Sequence, residues 1–380
     1  MIRYSTQYID DDDVKAVVKA LRSDFLTQGP CIERFEEVVA KYVESKFAIS
    51  VNSATSALHL ACLALGVGKK SLVWTSPNSF VASSNCALYC GAKVDFVDID
   101  PETYNMSLEA LEKKLKSSRK KPDVVIVVHF AGQSCDMKKI AALSKKYKFK
   151  IIEDASHALG GEYNGRKIGS CEFSSIAVLS FHPVKMITTA EGGMLTTNDL
   201  KLDRMMRELR SHGLVRKAEL LKHKSHGPWY YEQQSLGYNY RMTEIQAALG
   251  ISQMNKLDLF VKRRREIAHV YARELEGLPL QLPKEIDGSS MSYHLYVIRL
   301  KKHANERAKI FKTLMDRGIG VQVHYIPIYR QPYYAKMGFS PKSFPNMEKY
   351  YKEALSIPDH VKLSEKDQHF VIDTIRKILS

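Results

Sequence analysis

The chain carries, near its middle, the segment Leu179-Ser-Phe-His-Pro-Val-Lys-Met-Ile-Thr-Thr-Ala-Glu-Gly-Gly193. The apolar run Ile176 to Phe181 predicts a buried strand before the lysine, and Met194 to Thr197 predicts a second strand after the glycine pair. A lysine held at a strand end beside compact, glycine-rich backbone loses solvent, which lowers the pKa of its amine and frees it to attack a carbonyl group. The segment therefore predicts Schiff-base chemistry at Lys185.

A second segment, Ile151-Ile-Glu-Asp-Ala-Ser-His-Ala-Leu-Gly160, turns this prediction into a hypothesis about a cofactor. Asp154 ends another predicted strand, where its carboxylate can face the ring nitrogen of pyridoxal phosphate bound to Lys185 and keep that nitrogen protonated. A salt bridge or a loop cap is the simpler role for Asp154. The two strand ends together favour the cofactor.

Length and composition set broad limits. The length of 380 residues favours two domains or one large domain with an appendage, and a composition of 44% hydrophobic and 26% charged residues is typical of a globular protein. Its net charge of +15 fits an anionic ligand, a nucleic acid or an acidic surface, and does not choose among them. The densest basic cluster, Lys262 to Arg265, is expected to form the solvated face of a helix.

The cysteines and the first residues indicate a cytoplasmic protein. None of the six cysteines forms a C-x-x-C pair, so we expect reduced core residues and no metal site. The first residues do not resemble a signal peptide, and no apolar run reaches membrane-spanning length, so no membrane contact is expected. The acidic stretch Asp10 to Asp13 is expected to cap a helix that begins near Val14.

Strand and helix patterns alternate over residues 47–197. This order predicts an α/β fold with a mostly parallel central sheet, whose ligands gather at the carboxyl ends of the strands. A long helix is expected over 243–273, followed by a smaller α+β part with strands over 294–300 and 320–324. We therefore expect a large cofactor-binding domain over residues 1–250 and a small C-terminal domain over 251–380.

Other predicted strand ends offer further parts of a pyridoxal phosphate site. Asn52-Ser-Ala-Thr-Ser56 follows a strand and opens a helix, so its backbone N–H groups and the hydroxyls of Thr55 and Ser56 can bind a phosphate, although plain helix capping explains the segment as well. Phe80 can stack on the pyridine ring or belong to the core. His157 can hydrogen-bond the cofactor's phenolic oxygen or be an ordinary buried polar group. Ser180 completes the set.

Six stretches together resemble one family. They are Leu26-Thr-Gln-Gly29, Asn52-Ser-Ala-Thr-Ser56, Glu153-Asp-Ala-Ser-His157, the Lys185 segment, Arg210-Ser-His-Gly213 and Gly237-Tyr-Asn-Tyr-Arg-Met-Thr-Glu244. With them the chain resembles the DegT/DnrJ/EryC1/StrS sugar aminotransferases over nearly its whole length. The resemblance implies the aspartate-aminotransferase fold (fold type I), pyridoxal 5'-phosphate as cofactor and a homodimer.

Within this family the chain is most similar to the enzymes of pseudaminic acid biosynthesis. The segments that carry this similarity are Ile187 to Gly193, Val321 to Tyr329 and Gln331 to Tyr334. The resemblance implies transfer of the amino group of L-glutamate to C4 of a UDP-linked 4-keto-6-deoxy-N-acetylhexosamine. It implies that Ala54 and Asn239 contact the cofactor, with Asn239 coming from the neighbouring subunit. The substrate residues that it implies are Tyr4, Asp24, Phe25, Leu26, Thr27, Ala54, Ser180, Asn239, Gln322, Val323, His324 and Tyr325.

Several alternatives stay open. Relatives that dehydrate sugars carry histidine in place of the lysine, so Lys185 argues against that reaction. Amination at C3, or amination of a dTDP-sugar, is distinguished from the C4 reaction on a UDP-sugar only by the overall likeness of the sequence to one group of relatives. A nucleic-acid-binding or regulatory protein on the same fold suits the +15 charge. However, the chain leaves no room for an N-terminal helix-turn-helix module, and no nucleic-acid partner is expected.

Overall fold

The structure is a computed structural model that describes residues 1–379. Its strands are β1 (Phe47–Val51), β2 (Leu72–Thr75), β3 (Lys93–Phe96), β4 (Val124–Val128), β5 (Lys150–Asp154), β6 (Glu162–Tyr163), β7 (Arg166–Lys167), β8 (Ile176–Ser180), β9 (Gly193–Thr197), β10 (Leu214–Val215), β11 (Glu232–Gln233), β12 (Leu280–Gln281), β13 (Ser289–Ser290), β14 (Tyr296–Leu300) and β15 (Ala354–Ile357). Its α-helices are α1 (Asp11–Leu21), α2 (Pro30–Val43), α3 (Ala54–Ala64), α4 (Ala82–Tyr89), α5 (Leu108–Ser117), α6 (Met137–Tyr147), α7 (Leu200–Arg210), α8 (Glu244–Met254), α9 (Leu257–Glu274), α10 (Arg307–Asp316), α11 (Pro332–Ala335), α12 (Pro345–Glu353) and α13 (Glu365–Leu379).

A seven-stranded sheet in the order β1-β9-β8-β5-β4-β2-β3 forms the centre of the molecule. Neighbours from β3 to β8 are parallel, whereas β9 is antiparallel to both β8 and β1. All of β4, Val124 to Val128, is buried, with alternate residues packed into two hydrophobic clusters on opposite faces of the sheet. Burial on both faces explains the unbroken apolar sequence. The predicted α/β fold with a mostly parallel sheet is confirmed.

The carboxyl ends of β2, β4, β5 and β8 lie along one edge of this sheet because these strands are parallel. β1 runs in the same direction, since it and β8 are both antiparallel to β9. The register sets Val51, Gly193 and Ser180 side by side at this edge. The segments that leave β1, β5 and β8 therefore start close together.

Local caps follow the expected chemistry. The Asp10 side chain accepts hydrogen bonds from the backbone of Asp12 and Asp13, and the Asp13 side chain accepts one from the backbone of Asp10. This reciprocal pair confirms that acidic residues cap α1, but the helix begins at Asp11 rather than near Val14, so Asp11 to Asp13 form its first turn.

Three local expectations were wrong. The helix expected over 243–273 is two helices, because the chain turns at Asn255 and Lys256, and the Lys256 amine pairs with the Asp13 carboxylate at 3.0 Å. The strand expected over 320–324 is reduced to a single bridge between Gln322 and Ser356. In the basic cluster of α9, Arg264 is only 2% exposed, because its guanidinium donates to backbone carbonyls rather than facing solvent.

The C-terminal part contains the three-stranded sheet β12-β14-β15, against which helices of the same part pack. The first residues of the chain also lie against this part, since Ile2 pairs with Ile319. The division at residues 250 and 251 stays a prediction. Among the described residues, no helix is both long and apolar enough to span a lipid bilayer.

Candidate active site

Asp154 ends β5 at the carboxyl edge of the sheet and is only 5% exposed. Its Oδ2 accepts a hydrogen bond of 2.6 Å from the Ser83 hydroxyl, and its Oδ1 accepts from the hydroxyl and the backbone N–H of Ser156, at 2.6 and 3.2 Å. The Ser79 and Ser83 hydroxyl oxygens lie 2.6 Å apart, and since Ser83 donates to Asp154, Ser79 donates to Ser83. Three donors thus fix the buried carboxylate and stabilise its negative charge.

Lys185 lies in the loop between β8 and β9, where its backbone N–H donates to the His182 carbonyl at 2.9 Å. The side chain is half-buried. Burial lowers the pKa of its amine to about 8, and the negative charge of Asp154 opposes that shift. The amine is therefore partly neutral near physiological pH, which an attacking nitrogen requires.

A buried histidine, His157, lies between Lys185 and the C-terminal part. The Ala131 N–H donates to its Nδ1 at 3.2 Å, so its proton sits on Nε2, which lies 3.2 Å from the Tyr325 hydroxyl. Burial and then the positive charge of Lys185 lower the pKa of His157 below its usual value. His157 is thus a neutral hydrogen-bonding group, and its expected bond to the cofactor's phenolic oxygen stays a prediction.

The segment Gln322 to Tyr325 forms the opposite wall. His324 is buried, with its Nδ1 2.8 Å from the Ser356 hydroxyl, and the ring of Tyr4 lies 5.4 Å away from its ring. Burial and the nearby Lys185 charge lower the pKa of His324 to about 3. The same segment brings Val323 and Tyr325, whose phenol pKa is raised by burial. His324 therefore lies near Lys185 and Tyr325 near Asp154, and the expected substrate contacts of the segment Gln322 to Tyr325 stay predictions.

The expected anion-binding segment forms the start of α3, and its role in binding a phosphate stays a prediction. The Ser53 hydroxyl caps the helix by accepting from the Ser56 N–H at 3.1 Å, so the capping interpretation holds for Ser53. Ala54 and Thr55 are the first two residues of the helix, whose N–H groups have no partner within it. A Cβ at Gly193 would lie 2.5 Å from the Ala54 nitrogen, so only glycine lets β9 approach this helix end so closely.

Phe80 and Ser180 complete this side. Phe80 is 60% exposed, so it is not a core residue, and its ring centre lies 6.5 Å from that of Tyr325. Ser180 ends β8 and is buried beside Gly193. An exposed aromatic ring at the mouth of the site has a free face on which a flat ligand can stack.

Two expected groups do not join this cluster in the single chain. The segment Asp24 to Thr27 is exposed and is held mainly by backbone contacts with Thr243 and Glu244. Asn239 is exposed too, on a backbone bridge to Ser211. Their contribution to the site stays a prediction.

The sequence did not predict the roles of four residues at the site, which are Ser79, Ser83, Ser156 and Gly193. The one available signal was the number of serines between Ser76 and Ser84, after β2, because a turn alone does not require so many. Nothing in the spacing shows that Ser83 meets Asp154, 71 residues away.

The assembled groups fit pyridoxal phosphate. The site offers an amine of lowered pKa, a buried carboxylate, a helix start that suits a phosphate and an exposed aromatic ring. Within residues 1–379, no three or more His, Cys, Asp and Glu side chains are arranged to hold a metal ion.

Comparisons with known proteins agree with this geometry. A family model described as the DegT/DnrJ/EryC1/StrS aminotransferase family matches residues 7–376. The UDP-4-amino-4,6-dideoxy-N-acetyl-beta-L-altrosamine transaminase of Campylobacter jejuni is 42% identical over 381 residues, covering 100% of this chain and 98% of that protein. The structure of Helicobacter pylori PseC, an aminotransferase involved in the biosynthesis of pseudoaminic acid, aligns with a TM-score of 0.91 at 34% identity. The alignment covers 100% of this chain and 99% of that chain.

A third neighbour bears on the cofactor. The PLP-form of Spr1654 from Streptococcus pneumoniae, described as a sugar aminotransferase, aligns with a TM-score of 0.91 at 28% identity and covers 100% of both chains.

Proposed function

Because the chain belongs to the DegT/DnrJ/EryC1/StrS aminotransferase family, and is thus an enzyme of the transferase class, we propose that it aminates a nucleotide sugar with pyridoxal 5'-phosphate as cofactor. The amino donor is L-glutamate, and the acceptor is C4 of a UDP-linked 4-keto-6-deoxy-N-acetylhexosamine. The observation that carries the proposal is the half-buried Lys185 amine, of lowered pKa, near the buried Asp154 carboxylate at the sheet edge.

Each residue of the site has its own role in the proposed reaction. When bound, pyridoxal phosphate supplies an aldehyde that captures amines and a ring that stores the electron pair of a broken C–H bond. Lys185 Nζ would hold the aldehyde carbon. The free Lys185 Nζ would accept the proton from the donor's α-carbon and deliver it again, as a general base and acid.

Asp154, whose carboxylate Ser83 and Ser156 orient, would hold a proton on the ring nitrogen. The N–H groups of Ala54 and Thr55 at the start of α3 would bind the phosphate, and Phe80 would stack on the ring. Tyr325 receives the His157 Nε2 hydrogen bond, which leaves its own hydroxyl proton free to donate to a bound group.

The proposed substrate rests on likeness to a transaminase of that named product over the whole chain. We place the sugar against the wall Gln322 to Tyr325, and the contact of the segment Asp24 to Thr27, which does not join this wall in the single chain, stays a prediction. The pyrophosphate carries two negative charges, which the chain's positive net charge attracts. Asn239 enters from the other subunit of a homodimer.

The test is a product assay with matched acceptors. Purified protein, pyridoxal phosphate and glutamate are incubated with UDP-linked and dTDP-linked 4-keto-6-deoxy sugars, and 2-oxoglutarate and amino sugar are measured. We expect equal amounts of both products with the UDP-linked N-acetyl sugar. Amination of the dTDP-sugar alone would move the proposal to another substrate. No amination of any sugar, with tight and salt-steep DNA binding, would replace it with a regulatory role.

A further inference from the structure

The wall Gln322 to Tyr325 is connected to the central sheet through one helix of the C-terminal part, α12. Asp98 follows β3 of that sheet. Its carboxylate accepts hydrogen bonds from the backbone N–H groups of Asn346 and Met347, both at 3.0 Å. These two residues belong to the first turn of α12, whose N–H groups have no partner within the helix. Asp98 therefore fixes the start of α12 against the sheet.

Tyr350 lies one turn further along α12 and reaches the wall. Its side chain is fully buried, and its hydroxyl donates a hydrogen bond of 2.6 Å to the backbone carbonyl of His324. That carbonyl is part of the peptide group that joins His324 to Tyr325. Because Asp98 fixes α12, this bond limits where the side chains of both wall residues can lie.

Aromatic packing limits the movement of Tyr350. The ring centres of Tyr104 and of the buried Phe130 lie 4.7 and 6.0 Å from that of Tyr350, so the ring cannot turn its hydroxyl away without losing these contacts. The same Phe130 ring lies 6.2 Å from the ring of Tyr325 and 6.0 Å from that of His157. Tyr350 thus belongs to one buried aromatic cluster with two groups of the proposed site.

The other hydrogen bonds of the wall act elsewhere along it. Gln322 and Ser356 of β15 exchange two backbone hydrogen bonds, of 3.1 and 2.7 Å, and the Ser356 hydroxyl lies 2.8 Å from His324 Nδ1. These contacts hold the start of the wall and the His324 ring. Over residues 1–379, the Tyr350 hydroxyl is the only group that donates to the His324 carbonyl. The peptide group between His324 and Tyr325 therefore depends on Tyr350 for its hydrogen bond.

We propose that Tyr350 is a positioning residue for the sugar nucleotide, because its hydroxyl holds the peptide group between His324 and Tyr325 and so fixes the shape of the wall that meets the sugar. This role rests on the proposed function, which places the sugar against this wall. The half-reaction with glutamate depends instead on Lys185 and Asp154, which other hydrogen bonds hold in place. Loss of the Tyr350 hydroxyl should therefore weaken binding of the sugar and leave the half-reaction with glutamate unchanged.

The experiment compares Tyr350→Phe with Tyr271→Phe in the holoenzyme. Tyr271 is a matched control, since it is also fully buried and its hydroxyl also donates to a backbone carbonyl, that of Pro358 at 2.9 Å, outside the wall. Because one hydrogen bond to the wall is lost, we expect Tyr350→Phe to raise the KM for the UDP-linked 4-keto sugar roughly fivefold, with kcat and the rate of the glutamate half-reaction within about twofold of the wild type. Tyr271→Phe should leave this KM unchanged. A wild-type KM in Tyr350→Phe, or an equal loss in the glutamate half-reaction, would overturn the proposal.

A second arm follows the wall itself and needs no reaction. Hydrogen–deuterium exchange of the holoenzyme is measured by mass spectrometry in peptides that contain Gln322 to Tyr325. We expect faster exchange there in Tyr350→Phe than in the wild type or in Tyr271→Phe, because the wall has lost its contact with α12. Unchanged exchange in Tyr350→Phe would contradict the positioning role. If the wild-type enzyme aminated no sugar, the proposed function would fail, and the exchange result would still decide whether Tyr350 holds the wall.

Discussion

Asp154 and Asn239 belong to the same proposed site, but the chain holds them in opposite ways. Asp154 is 5% exposed and accepts hydrogen bonds from Ser83 and Ser156. Asn239 is exposed, and in the part of the chain that the structure describes only its backbone is paired, with Ser211. One chain therefore fixes the carboxylate proposed for the cofactor, whereas the side chain of Asn239, proposed to act in the neighbouring subunit's site, has no such support. The experiments below probe that contrast.

Lys185→Ala should have the largest effect. We expect turnover to vanish and stable attachment of pyridoxal phosphate to be lost, with little change in the unfolding transition, because the side chain is only half-buried. Borohydride trapping and thermal unfolding measure the two outcomes. A variant that still traps the cofactor at a single lysine would show that another amine does this work.

Asp154→Asn should come next. The amide keeps the shape but removes the charge that holds the ring proton, so we expect the half-reaction with glutamate to slow by roughly a hundredfold or more. Stopped-flow absorbance measures it, and cofactor binding serves as the control. A rate near that of the wild type would mean that Asp154 does not act on the ring.

The shared site can be tested by mixing inactive subunits. Lys185→Ala and Asn239→Ala chains should complement each other, because a mixed dimer has one site with both native groups, giving about a quarter of full activity at equal mixing. Lys185→Ala mixed with Lys185→Arg is the matched control and should stay inactive. If activity were not restored although subunit exchange was shown separately, Asn239 would not act in the neighbouring subunit's site.

Ser83→Ala should have a smaller effect. It removes one charge-assisted hydrogen bond to Asp154, so we expect the glutamate half-reaction to slow roughly tenfold. Ser84→Ala is the control, since the neighbouring Ser84 hydroxyl bonds to the Val81 carbonyl and lies near the Tyr334 hydroxyl instead. Equal losses in both variants would point to general damage in α4.

The smallest expected effect is a shift in pH dependence. In cofactor-free protein, the rate of attachment to Lys185 should rise with pH around a midpoint near 8, since burial lowers the pKa of its amine to about 8. The charge of Asp154 raises that pKa, so Asp154→Asn should move the midpoint to lower pH. A midpoint near 10.4, the value of a free lysine, would contradict the desolvated environment.

The sequence was most informative where local pattern decides the outcome. Apolar runs located the strands of the central sheet, and the residues at their ends located Lys185 and Asp154. Contacts between residues that are distant in sequence could not be predicted from local pattern. The Ser83 hydroxyl that holds Asp154 lies 71 residues away, and Arg264 is buried because carbonyls 29, 30 and 95 residues away accept its hydrogen bonds.

Phe80 illustrates a different limit. Its aromatic side chain, taken alone, favoured the core over the site, and periodicity offers no way to choose, since both uses need an apolar ring. The structure exposes 60% of it beside Tyr325. Single exposed apolar side chains are common on protein surfaces, so the proposed role rests on the position of Phe80 beside Tyr325 rather than on its exposure.

The exposure of Asn239 has a consequence for how the enzyme behaves on dilution. If each site borrows this residue, a separated subunit keeps its fold and its reactive lysine but loses turnover. Specific activity should then fall as total protein drops below the dissociation constant of the dimer, while covalent capture of the cofactor persists. The association of two chains would thus act as a threshold on catalysis, so that output rises more steeply than the amount of protein made.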